Sequence, residues 1–341
     1  MPDFEFPPSL GPVSNTGDIR CYPEDFKVTE LLSFAPTGSG DHIYLYIEKR
    51  ECNTDWVAGQ LAKIAELKLV DIGYAGKKDR HAVTQQWFSL HMPNQPDPDW
   101  GALPAEIKIL AKTRHEKKLK SGAIKANRFC LIIRNLTGDD AEMEDRLQNL
   151  KKQGIPNYFG RQRFGNNNGN VRKLIDMVKN RRRVKKPQRS MYISAGRSFL
   201  FNQILKQRIL QNNWNQVVAG DVMMLDGTKA IFPSDENDEK IVERVAEMDI
   251  HPASILWGRG ESQSLYEAAA IEDQVIKDNG ELVEALDKVG SQLTYRALRV
   301  NVSSLAWKRV ADTLTLEFEL PAGSYATSLL NEFVKTSENE S

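Results

Sequence analysis

Both ends of the chain alternate with a period of two, and the stretch between them carries helical periodicity. That arrangement constrains the fold more than any other feature. His42 to Glu48 puts Ile43, Leu45 and Ile47 on one face and Tyr44 and Tyr46 on the other, which predicts a half-buried strand. Thr313 to Leu320 alternates more cleanly, with Leu314, Leu316, Phe318 and Leu320 inward, and Pro321 and Gly323 end it. Trp87 to Leu90 and Phe129 to Arg134 read as further strands; the second is apolar on both faces and is expected to be central. Asn53 is placed to cap a helix with a stripe of Val57, Leu61, Ile64 and Ala65. From about Gln153 to Asn301 helical patterns dominate, among them Val171 to Val178, Arg197 to Leu210 and the acidic Asp238 to Met248. Strand-rich ends around a helix-rich middle predict a sheet domain in two parts, 1–152 and 302–341, interrupted by an inserted domain, 153–301. The closing Thr336 to Ser341 is expected to be disordered.

The formal net charge of zero conceals a strong polarity. Ala105 to Leu210 holds 26 Lys and Arg against 8 Asp and Glu, which leaves 20 basic and 38 acidic residues elsewhere. A local basic excess is the footprint of a polyanion-binding surface, because phosphate contacts and counterion release dominate affinity for nucleic acid. Solvated helix faces would give the same composition. Cys21, Cys52 and Cys130 are scattered, which fits a reducing compartment and argues against a disulfide or zinc framework. The five histidines show no metal-ligand spacing. No apolar run reaches the roughly 20 residues of a membrane span, and no export signal opens the chain, so a cytoplasmic location without membrane contact is expected.

Two segments carry chemistry. Gly73 to Gln86 places Lys77, Lys78, Asp79 and Arg80 consecutively after two glycines. A phosphate loop is excluded, because Gly73 stands three residues before Gly76 and Lys78 occupies the Ser or Thr position. What remains is a carboxylate among cations, which suits a nucleophile or an electrostatic anchor; a solvated hairpin tip accounts for the same residues. Ile155 to Gly165 interleaves Tyr158, Phe159 and Phe164 with Arg161 and Arg163, as an RNA-stacking surface would, or as a turn that plugs a core. Downstream, Arg181, Arg182, Arg183, Lys185 and Lys186 form an electrostatic patch with no base-reading content.

Together these segments resemble the TruD family of tRNA pseudouridine synthases. The family pattern Gly-x-Lys-Asp-x-x-Ala-x-Thr-x-Gln is met at Gly76, Lys78, Asp79, Ala82, Thr84 and Gln86. Asp25 to Glu30, Ala126 to Phe129, Asn157 to Gly165, Arg197 to Gln203 and Leu320 to Thr327 look like further family blocks in the same order. The resemblance implies an α+β fold: a pseudouridine synthase catalytic domain, with an antiparallel sheet flanked by helices, and an inserted α/β domain. It implies that Asp79 is the catalytic aspartate and that Arg20 stands where relatives carry a basic partner for it. Phe26, Asn127, Phe129 and Tyr325 fall on substrate-binding positions, with Phe129 and Tyr325 flanking the base. Lys78, Arg80, Arg161, Arg163 and the Arg181 to Lys186 run are expected to contact RNA.

The implied reaction isomerises a uridine, usually at position 13 of a glutamate tRNA, and needs neither cofactor nor metal. The substrate tRNA is the one partner implied, and no obligatory protein partner is expected. Two other classes use the same basic surface: a non-catalytic RNA-binding or chaperone protein, and a different RNA enzyme such as a methyltransferase or nuclease. The first predicts indifference to Asp79, and the second a need for a cofactor or Mg²⁺.

Overall fold

The computed structural model describes residues 4–235 and 237–337. The chain divides into two compact units. Of the described residues, one unit comprises those in 15–138, 303–323 and 335–337; the other comprises those in 4–14, 139–302 and 324–334.

The first unit is built on a ten-stranded sheet. Its strands include β1 (Thr16–Ile19), β2 (Phe26–Leu32), β3 (His42–Arg50), β4 (Ile72–Tyr74), β5 (Val83–His91), β6 (Ile107–His115) and β7 (Ile124–Thr137). Ser303–Val310, Thr313–Pro321, β7, β2, β5, β3 and β6 lie side by side in that order, all antiparallel except β2 with β5. β7 is therefore central, as its apolar run predicts. The inward residues of Thr313–Pro321 are those expected from its alternation: Leu314, Leu316, Phe318 and Leu320 are all buried. Tyr44 departs from expectation. It is fully buried, and its hydroxyl donates to the Lys117 carbonyl at 2.8 Å, so this end of β3 is covered on both faces.

Helix α1 (Thr54–Ile64) lays Val57, Ala58 and Leu61 on Ile43, Leu45, Ile47, Phe88 and Leu90. Full burial of such a side chain contributes about 1.5–3 kcal/mol. α1 thus covers the β3 and β5 part of one sheet face. Asn53 is the N-cap by position, but its side chain makes no capping bond. The segment expected to be disordered at the C-terminus is strand for part of its length: Thr336 pairs with Gly17 of β1, within the parallel pairing of Lys335–Ser337. Residues 338–341 lie outside the described residues.

The second unit combines helices, including Gly169–Lys179, Lys186–Leu210, Tyr266–Asp278 and Gly280–Val289, with a four-stranded antiparallel sheet. Its core gathers Phe164, Phe199, Phe201, Leu205 and Leu286. The units differ from the expected boundaries in three places. Residues 4–14, the helix Asp140–Gln153 and residues 324–334 all group with the helical unit. No helix of the described residues is long and apolar enough to cross a membrane.

Glu332 makes this unit sensitive to pH. Its buried carboxylate accepts from the Ser9 amide at 2.8 Å and the Ser9 hydroxyl at 2.6 Å, both at Oε2. Burial pushes its pKa up to about 7. The native state therefore holds a proton that the unfolded chain gives up near 4.5. The resulting stability is fully present below that value and is lost as pH rises through about 7. Glu332→Gln is expected to melt higher than wild type at pH 8, by up to about 3 kcal/mol, and close to it at pH 5. Thermal melting at both pH values checks this; a lower melting point for the variant at pH 8 counts against it.

Candidate active site

The register of the sheet assembles the site. Opposed residues of neighbouring strands project to the same face. One rung therefore runs Lys49, Thr84, Val28, Phe129 and Phe318 across β3, β5, β2, β7 and Thr313–Pro321. Asn127 of β7 stands between Glu30 of β2 and Leu320 one rung along. This is the face that carries α1, beyond the helix's own footprint.

Arg20 follows β1 in the left-handed region, at φ +59°. A non-glycine residue there is uncommon and points to a local constraint. Its guanidinium lies 4.3 Å from the centre of the Phe26 ring, and Nη2 reaches Asp79 Oδ2 at 3.4 Å. Phe26 is fixed from the other side. The turn Pro23–Asp25 before it is held by Asp25, whose buried carboxylate accepts from the Tyr22 amide and, through both oxygens, from Arg134. Phe26 meets Phe129 edge-on at 6.3 Å, and Phe129 stacks on Phe318 at 5.1 Å. The Asn127 Oδ1 is buried without a hydrogen-bond partner.

Asp79 lies on the connection between the antiparallel strands β4 and β5, so the segment does join a hairpin. It is not a loose tip. Gln86 Nε2 donates to the Gly76 carbonyl at 3.1 Å and closes the loop at its base. Thr54, the first residue of α1, accepts from the Lys78 amide at 3.0 Å and donates to Gln86 Oε1 at 2.9 Å. Lys49 Nζ donates to the Asp79 carbonyl at 2.8 Å. Ala82, Thr84 and Gln86 are all fully buried. The patterned residues are thus largely bracing, and Asp79 keeps 38% of its side chain exposed.

The structure brings Arg20, Phe26 and Asp79 together and puts Asn127 and Phe129 on one strand face. It treats the expected RNA contacts unequally. Lys78 is no surface cation: its side chain is 7% exposed, and Nζ pairs with the buried Glu30 at 2.9 Å. Arg80 is exposed. In the helical unit, Arg161, Arg181, Arg182, Arg183, Lys185 and Lys186 are exposed. Arg163 is half-buried, with Nη2 and Nε donating to the Tyr325 hydroxyl at 2.7 and 3.1 Å and Nη1 to Ser194 at 3.1 Å. Tyr325 also packs edge-on to Phe159 at 6.1 Å. Sequence reading assigned no role to Lys49, Glu30 or Thr54. Only Lys49 left a readable signal, since it continues the inward parity of Ile43, Leu45 and Ile47.

The family model for tRNA pseudouridine synthase D (TruD) matches residues 13–175 and 170–333. A tRNA pseudouridine synthase D of Methylococcus capsulatus is 44% identical over 338 residues, covering 98% of this chain and 96% of that one. One from Nitrosococcus oceani is 43% identical over 332 residues, covering 95% and 92%. A crystal structure of a Methanosarcina mazei chain assigned to TruD superposes with a TM-score of 0.70 at 20% identity, covering 96% of this chain and 95% of that one. The last likeness is one of fold, and it agrees with the α+β architecture. On the family match and the two full-length relatives, the chain belongs to the tRNA pseudouridine synthase D (TruD) family.

Proposed function

We propose that this chain isomerises one uridine of a tRNA to pseudouridine, with Asp79 as the reacting carboxylate. Membership of the family makes it an isomerase of the tRNA pseudouridine synthase class. The observation that carries the residue-level reading is the pairing of Arg20 with Asp79 on a braced loop, in contact with the Phe26 ring. In the reaction the N1–C1′ bond of uridine breaks, the uracil turns, a C5–C1′ bond forms, the C5 proton leaves to solvent and N1 takes up a proton in its place. Atoms and electrons balance without a redox partner, so the reading needs no cofactor.

Asp79 acts at C1′ or as the base on a glycal route. Arg20 orients its carboxylate. Phe26 and Phe129 supply an apolar floor, and Asn127 hydrogen-bonds the base. A role for Tyr325 in substrate binding rests on the family pattern alone. The base must first leave its stack, at a cost of about a few kcal/mol. Phosphate binding by exposed Arg80, Arg161 and the Arg181 to Lys186 run offsets that cost, a use of binding energy remote from the reacting centre. The proposed substrate is a glutamate tRNA and the site its position 13; the enzyme works in the cytoplasm and requires no second protein.

Tritium release from C5-labelled uridine in unmodified tRNA tests the reading, followed by mapping of the modified position. Stoichiometric release of one equivalent, with the product at one position, is the expected result. Tight binding without release would sink the proposal.

A further inference from the structure

Lys49 is the fourth inward residue of β3, after Ile43, Leu45 and Ile47, and like them it is fully buried. Lysine is almost never found in such a place unless it is paired. Among the described residues no carboxylate lies within ion-pair distance of its ammonium, which donates instead to two main-chain carbonyls, Cys52 at 2.6 Å and Asp79 at 2.8 Å. These bonds tie the end of β3 to the entry of α1 and to the loop. Thr54 grips the same loop one residue earlier, at the Lys78 amide. The main chain on both sides of Asp79 is therefore held, by a hydroxyl before it and an ammonium after it.

We propose that Lys49 is a positioning residue for the isomerisation, its buried ammonium fixing the main chain of Asp79 so that the carboxylate stands toward Arg20. This rests on the assignment of Asp79 as the reacting group. An apolar residue would fill the position at less cost to stability, since a buried charge loses its hydration. Burial depresses the Lys49 pKa to about 8. Retaining a costly cation beneath the reacting residue fits a functional role better than a structural one.

The groups facing the ammonium bear on how it titrates. They are Cys52 before α1, whose thiol burial pushes up, Asp79 with its partner Arg20, and Lys78 with its partner Glu30. Thr84, opposite Lys49 in register, adds a hydroxyl oxygen with no partner, and Arg80 and Glu106 act on the Cys52 thiol.

The test compares wild type, Lys49→Met, Lys49→Arg and Asp79→Asn as full-length proteins in tritium release from unmodified tRNA. Lys49→Met should lower kcat by about 100-fold, as a misplacement of about 1 Å does. Its KM should stay within about twofold and its melting temperature should not fall. Lys49→Arg keeps the charge at every accessible pH, so it should retain most of the wild-type kcat below pH 8. It should also hold that rate above pH 8, where wild type declines. Wild-type kcat in Lys49→Met would overturn the proposal, as would a defect confined to KM. Should the methionine variant fail to fold, coincident alkaline limbs for wild type and Lys49→Arg would overturn it instead. Asp79→Asn separates the two assignments. Normal turnover there removes the reading of Asp79 and the proposal with it, whereas an inactive Asp79→Asn beside a fully active Lys49→Met removes only the role of Lys49.

Discussion

Asp79→Asn should abolish turnover while leaving tRNA binding nearly intact. Asparagine keeps the size and shape of the side chain. The main-chain bonds from Lys49 to the Asp79 carbonyl and from the Lys78 amide to Thr54 do not involve the carboxylate, so the loop should hold its course. What disappears is the negative charge facing Arg20 and the oxygen able to attack or to take a proton. Removing one member of a reacting set in other enzymes costs about 10⁴-fold or more in kcat, some 5 kcal/mol of barrier or above. Affinity for unmodified tRNA should change by no more than about threefold, because that term is carried by phosphate contacts. Tritium release at saturating tRNA, paired with a binding titration at fixed salt, checks both halves. A rate within tenfold of wild type would remove Asp79 from the reaction.

Glu30→Ala should destabilise the sheet unit more than most single changes. The Lys78 ammonium is buried beside Glu30 at 2.9 Å, and the other Glu30 oxygen accepts from the Trp87 amide at 3.2 Å. Deleting the carboxylate strands a buried cation, a defect that costs about 3–5 kcal/mol. The melting temperature should fall on the order of 10 °C for a unit of this size. Glu30→Ala combined with Lys78→Ala should recover part of the loss, because the double variant leaves no unpaired charge. Denaturant unfolding of the four proteins measures the coupling. A loss below about 1 kcal/mol in Glu30→Ala would mean that Lys78 escapes to solvent and that the pair does not brace the loop.

The legibility of this molecule follows the range of its interactions. Alternation is local, so the inward Leu314, Leu316, Phe318 and Leu320 could be read from sequence. The burial of Tyr44 could not, because its hydroxyl is satisfied by Lys117, 73 residues away. Charge clustering around Asp79 did not separate a reacting carboxylate from a solvated tip; only the family resemblance favours the first. The ordering of that loop depends on Thr54, Glu30 and Lys49, which approach from three other elements. Lys78 was expected on the surface because its partner Glu30 lies 48 residues earlier and no periodicity links them. The unit boundary was expected near Gln153, where helical patterns take over, yet the chain leaves the sheet at Gly138, where β7 has ended and φ is +122°.

The sheet order also carries a consequence for synthesis on the ribosome. β7 is central, but its neighbour Thr313–Pro321 is translated roughly 175 residues after it. At about 5–20 residues per second, one edge of β7 waits unpaired for roughly ten to forty seconds. Phe129, Leu131 and Ile133, all buried in the finished sheet, lie along that waiting edge. An exposed apolar edge is a template for pairing with other chains. Newly made protein should therefore be most prone to aggregate in this interval, and chaperones that shield extended segments should raise its soluble yield.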